Sequence, residues 1–61
     1  MKGFVIKHGD VYDRNTGREI TWTLDIKNAY VWFYLELAQD QASDYKLLGI
    51  STEIVDLSKI D

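Results

Sequence analysis

The sequence contains no cysteine, no proline, one histidine and one methionine in 61 residues. Without cysteine there is no disulfide and no thiolate ligand, and His8 alone cannot build a zinc site, so no metal is expected. A chain this short, lacking cross-links and metal, sits near the lower limit for a self-sufficient core. Ordering costs about 1.5 kcal/mol per residue, which burial at this size only roughly offsets. Small domains in that position draw on another chain, so a protein partner, self-association as a dimer, or both are expected. The lack of cysteine accords with a reducing cytoplasm, which is the expected location. Proline-rich, low-complexity and repeated stretches are missing too, so residues 1–61 read as one domain without a linker.

Positive charge is also scarce. Lys and Arg number 7 against 10 Asp and Glu, a net charge of −3, and Lys2, Lys7, Arg14, Arg18, Lys27, Lys46 and Lys59 are scattered. Phosphate neutralisation needs a clustered excess of cations, so no direct nucleic-acid binding is expected. The apolar run near the N-terminus is too short for a signal-peptide core or a bilayer span, and neither export by such a signal nor membrane insertion is expected. The four glycines form no cluster that could cradle phosphates, so no cofactor is expected.

What is present sets out a fold. In KGFVIK, Phe4 and Ile6 face one way and Val5 the other, and His8-Gly9-Asp10 stops the run. Strands over 2–7 and 11–14 therefore form a hairpin around Gly9, which supplies the positive φ of a tight turn. Asn15-Thr16-Gly17 offers a second turn. REITWTL then alternates Ile20, Trp22 and Leu24 against Glu19, Thr21 and Thr23, the period of a strand with one buried face. From Leu35 the period lengthens: Leu35, Ala38, Ala42 and Tyr45 recur at steps of three and four, an amphipathic helix that Gly49 ends by taking the left-handed conformation. Thr52 to Leu57 reads as a last strand. The expectation is α+β: a small antiparallel sheet of three to four strands with one helix packed on one face, in the order β-β-(β)-α-β. Phe4, Ile6, Ile20, Trp22, Leu35, Ala38, Ala42, Ile54 and Leu57 are its expected core.

Phe4-Val5-Ile6-Lys7, Gly9, Trp22, the segment Asp25-Ile26-Lys27-Asn28-Ala29, Glu36-Leu37-Ala38 with Ala42, and Ile54-Val55-Asp56-Leu57 together resemble a loose group of small phage and prophage proteins. The resemblance covers most of the chain. It implies a viral origin and a compact α+β fold, with function mostly unassigned in the group. The chain departs from that pattern just before the helix, where Phe33-Tyr34 replaces the usual polar capping residues.

The departure falls inside AYVWFYLEL, Ala29 to Leu37, where Tyr30, Trp32, Phe33 and Tyr34 crowd into five positions. If the stretch is extended, Ala29, Val31 and Phe33 face one way and Tyr30, Trp32 and Tyr34 the other. If a helix starts after Asp25 as N-cap, Ile26, Ala29, Phe33 and Leu37 line one stripe and the other aromatics spread around the cylinder. Either arrangement leaves an aromatic surface, unless Trp32 and Phe33 wedge into the core under the sheet edge. Glu36, Asp40 and Asp44 follow at i, i+4 and i+8, a carboxylate row along the helix. Tyr30, Trp32, Tyr34, Glu36, Asp40 and Asp44 are therefore the candidate partner-binding residues, since Tyr and Trp carry much of the energy at protein interfaces.

Catalytic patterns are weak. His8 beside Asp10 lacks a nucleophile and a third orienting group, and Asp13-x-Asn15-x-Gly17 lacks the later ligands of a calcium loop. The expected function is thus a small acidic, non-enzymatic protein-binding module. With the phage resemblance it reads as a modulator or inhibitor of a host protein, such as a nucleic-acid-binding or defence factor whose basic groove a carboxylate row could fill. The alternative is a homo-oligomeric structural or accessory phage protein without a host target.

Overall fold

The computed structural model describes residues 3–15 and 19–59. Four antiparallel strands, β1 (Phe4–His8), β2 (Val11–Asp13), β3 (Trp22–Thr23) and β4 (Glu53–Asp56), form one sheet in the order β3-β2-β1-β4, and one helix, α1 (Leu35–Leu47), packs against it. The fold is α+β, with β4 added antiparallel beside β1 after α1.

The hairpin forms where the glycine sits. His8 pairs with Val11 across the two-residue turn, in which Gly9 takes φ 60°, and a positive φ at the first central residue is the pattern of a type II′ turn. β3 is much shorter than the alternation of REITWTL predicts. Only Trp22 and Thr23 pair with β2, helped by the Arg14 amide donating to the Thr21 carbonyl at 3.0 Å. Asn15, at φ 47°, turns the chain out of β2. The rest of the expected turn, Thr16-Gly17, lies outside the described residues, as does Lys2 at the start of the expected first strand.

Direct cross-strand partners share a face. Ile6 with Ile54, His8 with Val11, and Asp13 with Trp22 thus lie on one side, while Val5 with Val55, Lys7 with Glu53, and Tyr12 with Thr23 lie on the other. α1 covers the first side. Its inward stripe is Ala38, Gln41, Ala42 and Tyr45, of which Ala38 and Tyr45 are buried. Two alanines in the stripe let the helix axis come close to the strands, which leaves no room there for a larger side chain.

The core is small. Val5, Ile6, Ala29, Ala38 and Tyr45 are its buried hydrophobic members. Phe4, Trp22, Ala42, Ile54 and Leu57, expected there, are half-buried. Ile20 and Leu35 correct the expectation outright, at 46% and 43% exposed. Ile20 precedes a strand too short to carry it over the helix, and Leu35 opens α1 a full turn before the helix meets the sheet at Ala38.

The sequence gives no hint of the most buried polar group. Asp13 is fully buried, and the Tyr45 hydroxyl donates to its Oδ1 at 2.7 Å, tying α1 to β2. The Asn15 amide donates to the same oxygen at 2.9 Å. The Tyr45 ring lies 5.3 Å from that of Trp22, which in turn lies 5.4 Å from His8. The phenol is held well above its ordinary value, first by burial and then by its hydrogen bond to Asp13 and that carboxylate's charge.

α1 begins without a side-chain cap, as Phe33-Tyr34 foretold: Tyr34 is its N-cap and makes no side-chain hydrogen bond, while its carbonyl accepts from the Leu37 and Ala38 amides at 3.1 and 3.2 Å. Glu36 in the first turn complements the helix dipole instead. The helix ends in a Schellman motif. Gly49 at φ 83° donates to the Lys46 carbonyl at 3.0 Å and Ile50 to that of Tyr45 at 2.9 Å.

Tyr45→Phe removes a hydrogen bond to a buried carboxylate and should cost about 1.5 to 3 kcal/mol in chemical denaturation. A phenol whose folded-state pKa is raised keeps its proton where the unfolded chain releases it. Its contribution is therefore complete below about pH 10 and is lost as pH rises further. The stability gap between the parent and Tyr45→Phe should accordingly stay constant through neutral pH and narrow above about pH 10.

Ala38→Leu should overpack the helix–sheet contact at a cost of about 1 to 3 kcal/mol. Leu35→Ala, which a core position would make far more damaging, should cost only about 1 kcal/mol because the side chain is already half in water. Melting curves of the two variants side by side check the phase of the helix.

Candidate protein-binding surface

The segment before α1 is extended, apart from one 3-10 turn at Ile26–Asn28. Asp25 does act as an N-cap, but for that single turn: its side chain accepts from the Lys27 amide at 2.9 Å. Beyond Ala29 the chain runs alongside β1. The Tyr30 amide donates to the Asp13 carbonyl at 2.9 Å, and Trp32 and Phe4 exchange both backbone hydrogen bonds at 2.7 Å. That register places Val31 beside Val5 on the sheet side away from the helix, where Val5 is fully covered.

This pairing divides the aromatics. Trp32 is half-buried, its indole Nε1 enclosed and without a partner among the described residues, and its ring meets Tyr30 edge-on at 4.7 Å. Trp32 therefore belongs to the packing of the sheet edge. Phe33, considered above as a core wedge, is 75% exposed, and Tyr34 is 70% exposed. Tyr30 stands between, at 41%. Of the six candidate residues, Tyr30, Tyr34, Glu36, Asp40 and Asp44 lie in solvent and Trp32 does not.

Residues missed by the sequence reading extend this surface. Leu37 is 49% exposed and, with Tyr34, Leu35 and Glu36, lines a shallow depression at the helix start. Leu47 and Leu48 at the far end of α1 are 86% and 65% exposed. Among the described residues, nine large apolar side chains stand exposed against five buried hydrophobic ones. The available signal was angular: once Ala38, Ala42 and Tyr45 define the inward stripe, Leu37 and Leu47 fall on other sides of the helix.

The remaining polar residues have structural duties. His8 Nδ1 donates to the Ser51 carbonyl, in the loop before β4, at 2.6 Å while its ring packs on Trp22 of β3, so it is held by these two and not by Asp10. Asp56 accepts from both the hydroxyl and the amide of Ser58, which lowers its pKa. Lys7 and Glu53 form the one ion pair among the described residues, at 3.8 Å. No group of three or more His, Asp or Glu positioned to hold a metal occurs among the described residues. No helix there is long and apolar enough to cross a membrane. No family model, curated protein or solved structure matches the chain. The fold thus defines a small α+β domain, and its surface chemistry carries the functional argument.

Phe33→Ser and Tyr34→Ser remove side chains that contribute little to the core. Phe33→Ser should change the stability of the fold by no more than about 0.5 kcal/mol, whereas Tyr34→Ser, which places a hydroxyl at the N-cap of α1, should raise it by up to about 1 kcal/mol, both read from the denaturation midpoint.

Proposed function

We propose that the chain is a non-catalytic protein-binding module that meets its partner through Phe33, Tyr34 and Leu37 together with Glu36, Asp40 and Asp44. The observation that carries this reading is the exposure of Phe33 and Tyr34, at 75% and 70%, immediately before a helix that they fail to cap. A polar capping residue at Tyr34 would stabilise α1 by about 1 kcal/mol. The chain keeps two exposed aromatics there, which serve a contact surface better than a helix end. The adjacent carboxylates favour a partner with a basic surface. A host protein with a basic groove, met in the bacterial cytoplasm, is the target class we propose, supported by the carboxylates for the groove and by the resemblance of the residue pattern to small phage proteins for the host.

Affinity capture from bacterial lysate with the parent chain and with the Phe33→Ser/Tyr34→Ser double variant, followed by mass spectrometry, tests the reading. The expected result is a protein retained by the parent and lost by the variant, whose melting temperature is unchanged or raised by the serine at the N-cap. Equal retention by both, or no specific retention, overturns it. A dimer that persists on dilution in sedimentation, and that the double variant abolishes, would instead assign this surface to self-association.

A further inference from the structure

The outward side of α1 narrows the partner's chemistry, an inference that rests on the protein-binding reading. Leu37, Asp40, Asp44 and Leu47 follow at steps of three, four and three residues. At about 100° per residue they form one row, roughly 15 Å long, that runs from the flank of α1 at Leu37 to the side away from Ala38 and Tyr45 at Leu47. Leu37 and Leu47 are 49% and 86% exposed, and both aspartates between them are exposed. Neither aspartate has an ion-pair partner among the described residues. Lys46, the one basic residue of α1, lies on another flank, well off the row. Two apolar ends thus bracket two unpaired charges.

That order discriminates among occupants. A second copy laid antiparallel along the row would join Leu37 to the other copy's Leu47, but would press Asp40 against Asp44 twice at the centre of the contact. Like charges brought together in a partly dehydrated interface cost several kcal/mol, so the row disfavours its own copy. A cationic segment gains on both counts, covering the leucines and neutralising the aspartates. The depression lined by Tyr34, Leu35, Glu36 and Leu37 offers a seat for an apolar side chain at one end.

We propose that the outer row of α1 docks an amphipathic basic helix of another protein. Two Lys or Arg one turn apart meet Asp40 and Asp44, and apolar residues on either side of them cover Leu37 and Leu47. This is the helix-on-helix mode of recognition, with apolar anchors supplying contact area and charge supplying selection.

The probe is a short alanine-based helical peptide carrying Leu-x-x-Arg-x-x-x-Arg-x-x-Leu on one face, with a control in which both Arg are Glu. Each is titrated into the labelled protein while backbone amide resonances are followed. The expected result is saturable shifts confined to Leu35–Leu48 with the Arg peptide and none with the Glu peptide. Affinity should fall about tenfold or more in Asp40→Asn/Asp44→Asn and also at high salt. The Asn variant keeps the helix intact, and its circular dichroism confirms folding before any loss is read.

Equal response to both peptides, shifts centred on the sheet, or no binding up to millimolar peptide overturns the proposal. So does a dimer through α1 that weakens on dilution. If a captured partner is lost with Phe33→Ser/Tyr34→Ser but retained by Asp40→Asn/Asp44→Asn, the basic-helix proposal fails while the protein-binding reading stands.

Discussion

The contact between Tyr45 and Asp13 organises the domain. A helix whose inward stripe is Ala38, Gln41, Ala42 and Tyr45 has little aliphatic area with which to fix its own position, and dispersion contacts alone tolerate sliding and rotation. A 2.7 Å hydrogen bond into a fully buried carboxylate does not. It sets the rotation of α1 about its axis, holds the ring against Trp22, and through Trp22 ties β3 to His8 and β1. The buried charge is also the costliest group in the core to desolvate, and one of its oxygens, Oδ2, has no partner among the described residues. Specific orientation is therefore obtained at some expense in stability, a trade known for buried polar groups elsewhere.

Much of the architecture was legible because local chemistry and global placement agree. Gly9 and Gly49 stand where a hairpin and a helix stop need positive φ, Phe4 to Lys7 alternate as a strand should, and Ala38, Ala42 and Tyr45 mark the helix stripe correctly. Asp13 was weighed only as a calcium ligand, and its burial was not legible because the residue that accounts for it lies 32 positions away. Ile20 and Leu35 were misplaced for the complementary reason. Periodicity assigns a face, but the length of the neighbouring element decides whether anything covers it, and β3 has only two residues. The aromatic stretch was divided by backbone pairing: Trp32 is drawn in by its reciprocal bonds to Phe4, whereas Phe33 and Tyr34 lie past the last paired residue.

α1 carries its residues in an unusual sense, with small side chains inward and leucines outward. Inward alanines suit close approach to the strands and to Tyr45. Leu47, at 86% exposed, contributes little to that packing, and Leu37 leaves about half of its surface in water. The same helix thus separates two tasks by angle, with Tyr45 fixing it to the sheet and the opposite side left free to vary without disturbing the fold.

β4 is the outer strand of the sheet, and its residues run Glu53, Ile54, Val55, Asp56. Another chain adding to that edge in the register that pairs all four positions antiparallel would set Glu53 directly against Asp56 at both ends, a like-charge clash that outer strands use to refuse their own kind. The two-residue β3 gives the opposite edge too little length to template a new strand. A domain that carries this much apolar surface in water would otherwise be prone to stacking into fibrils. The acidic brackets on β4 thus disfavour the joining of two copies through the backbone of the sheet in that register.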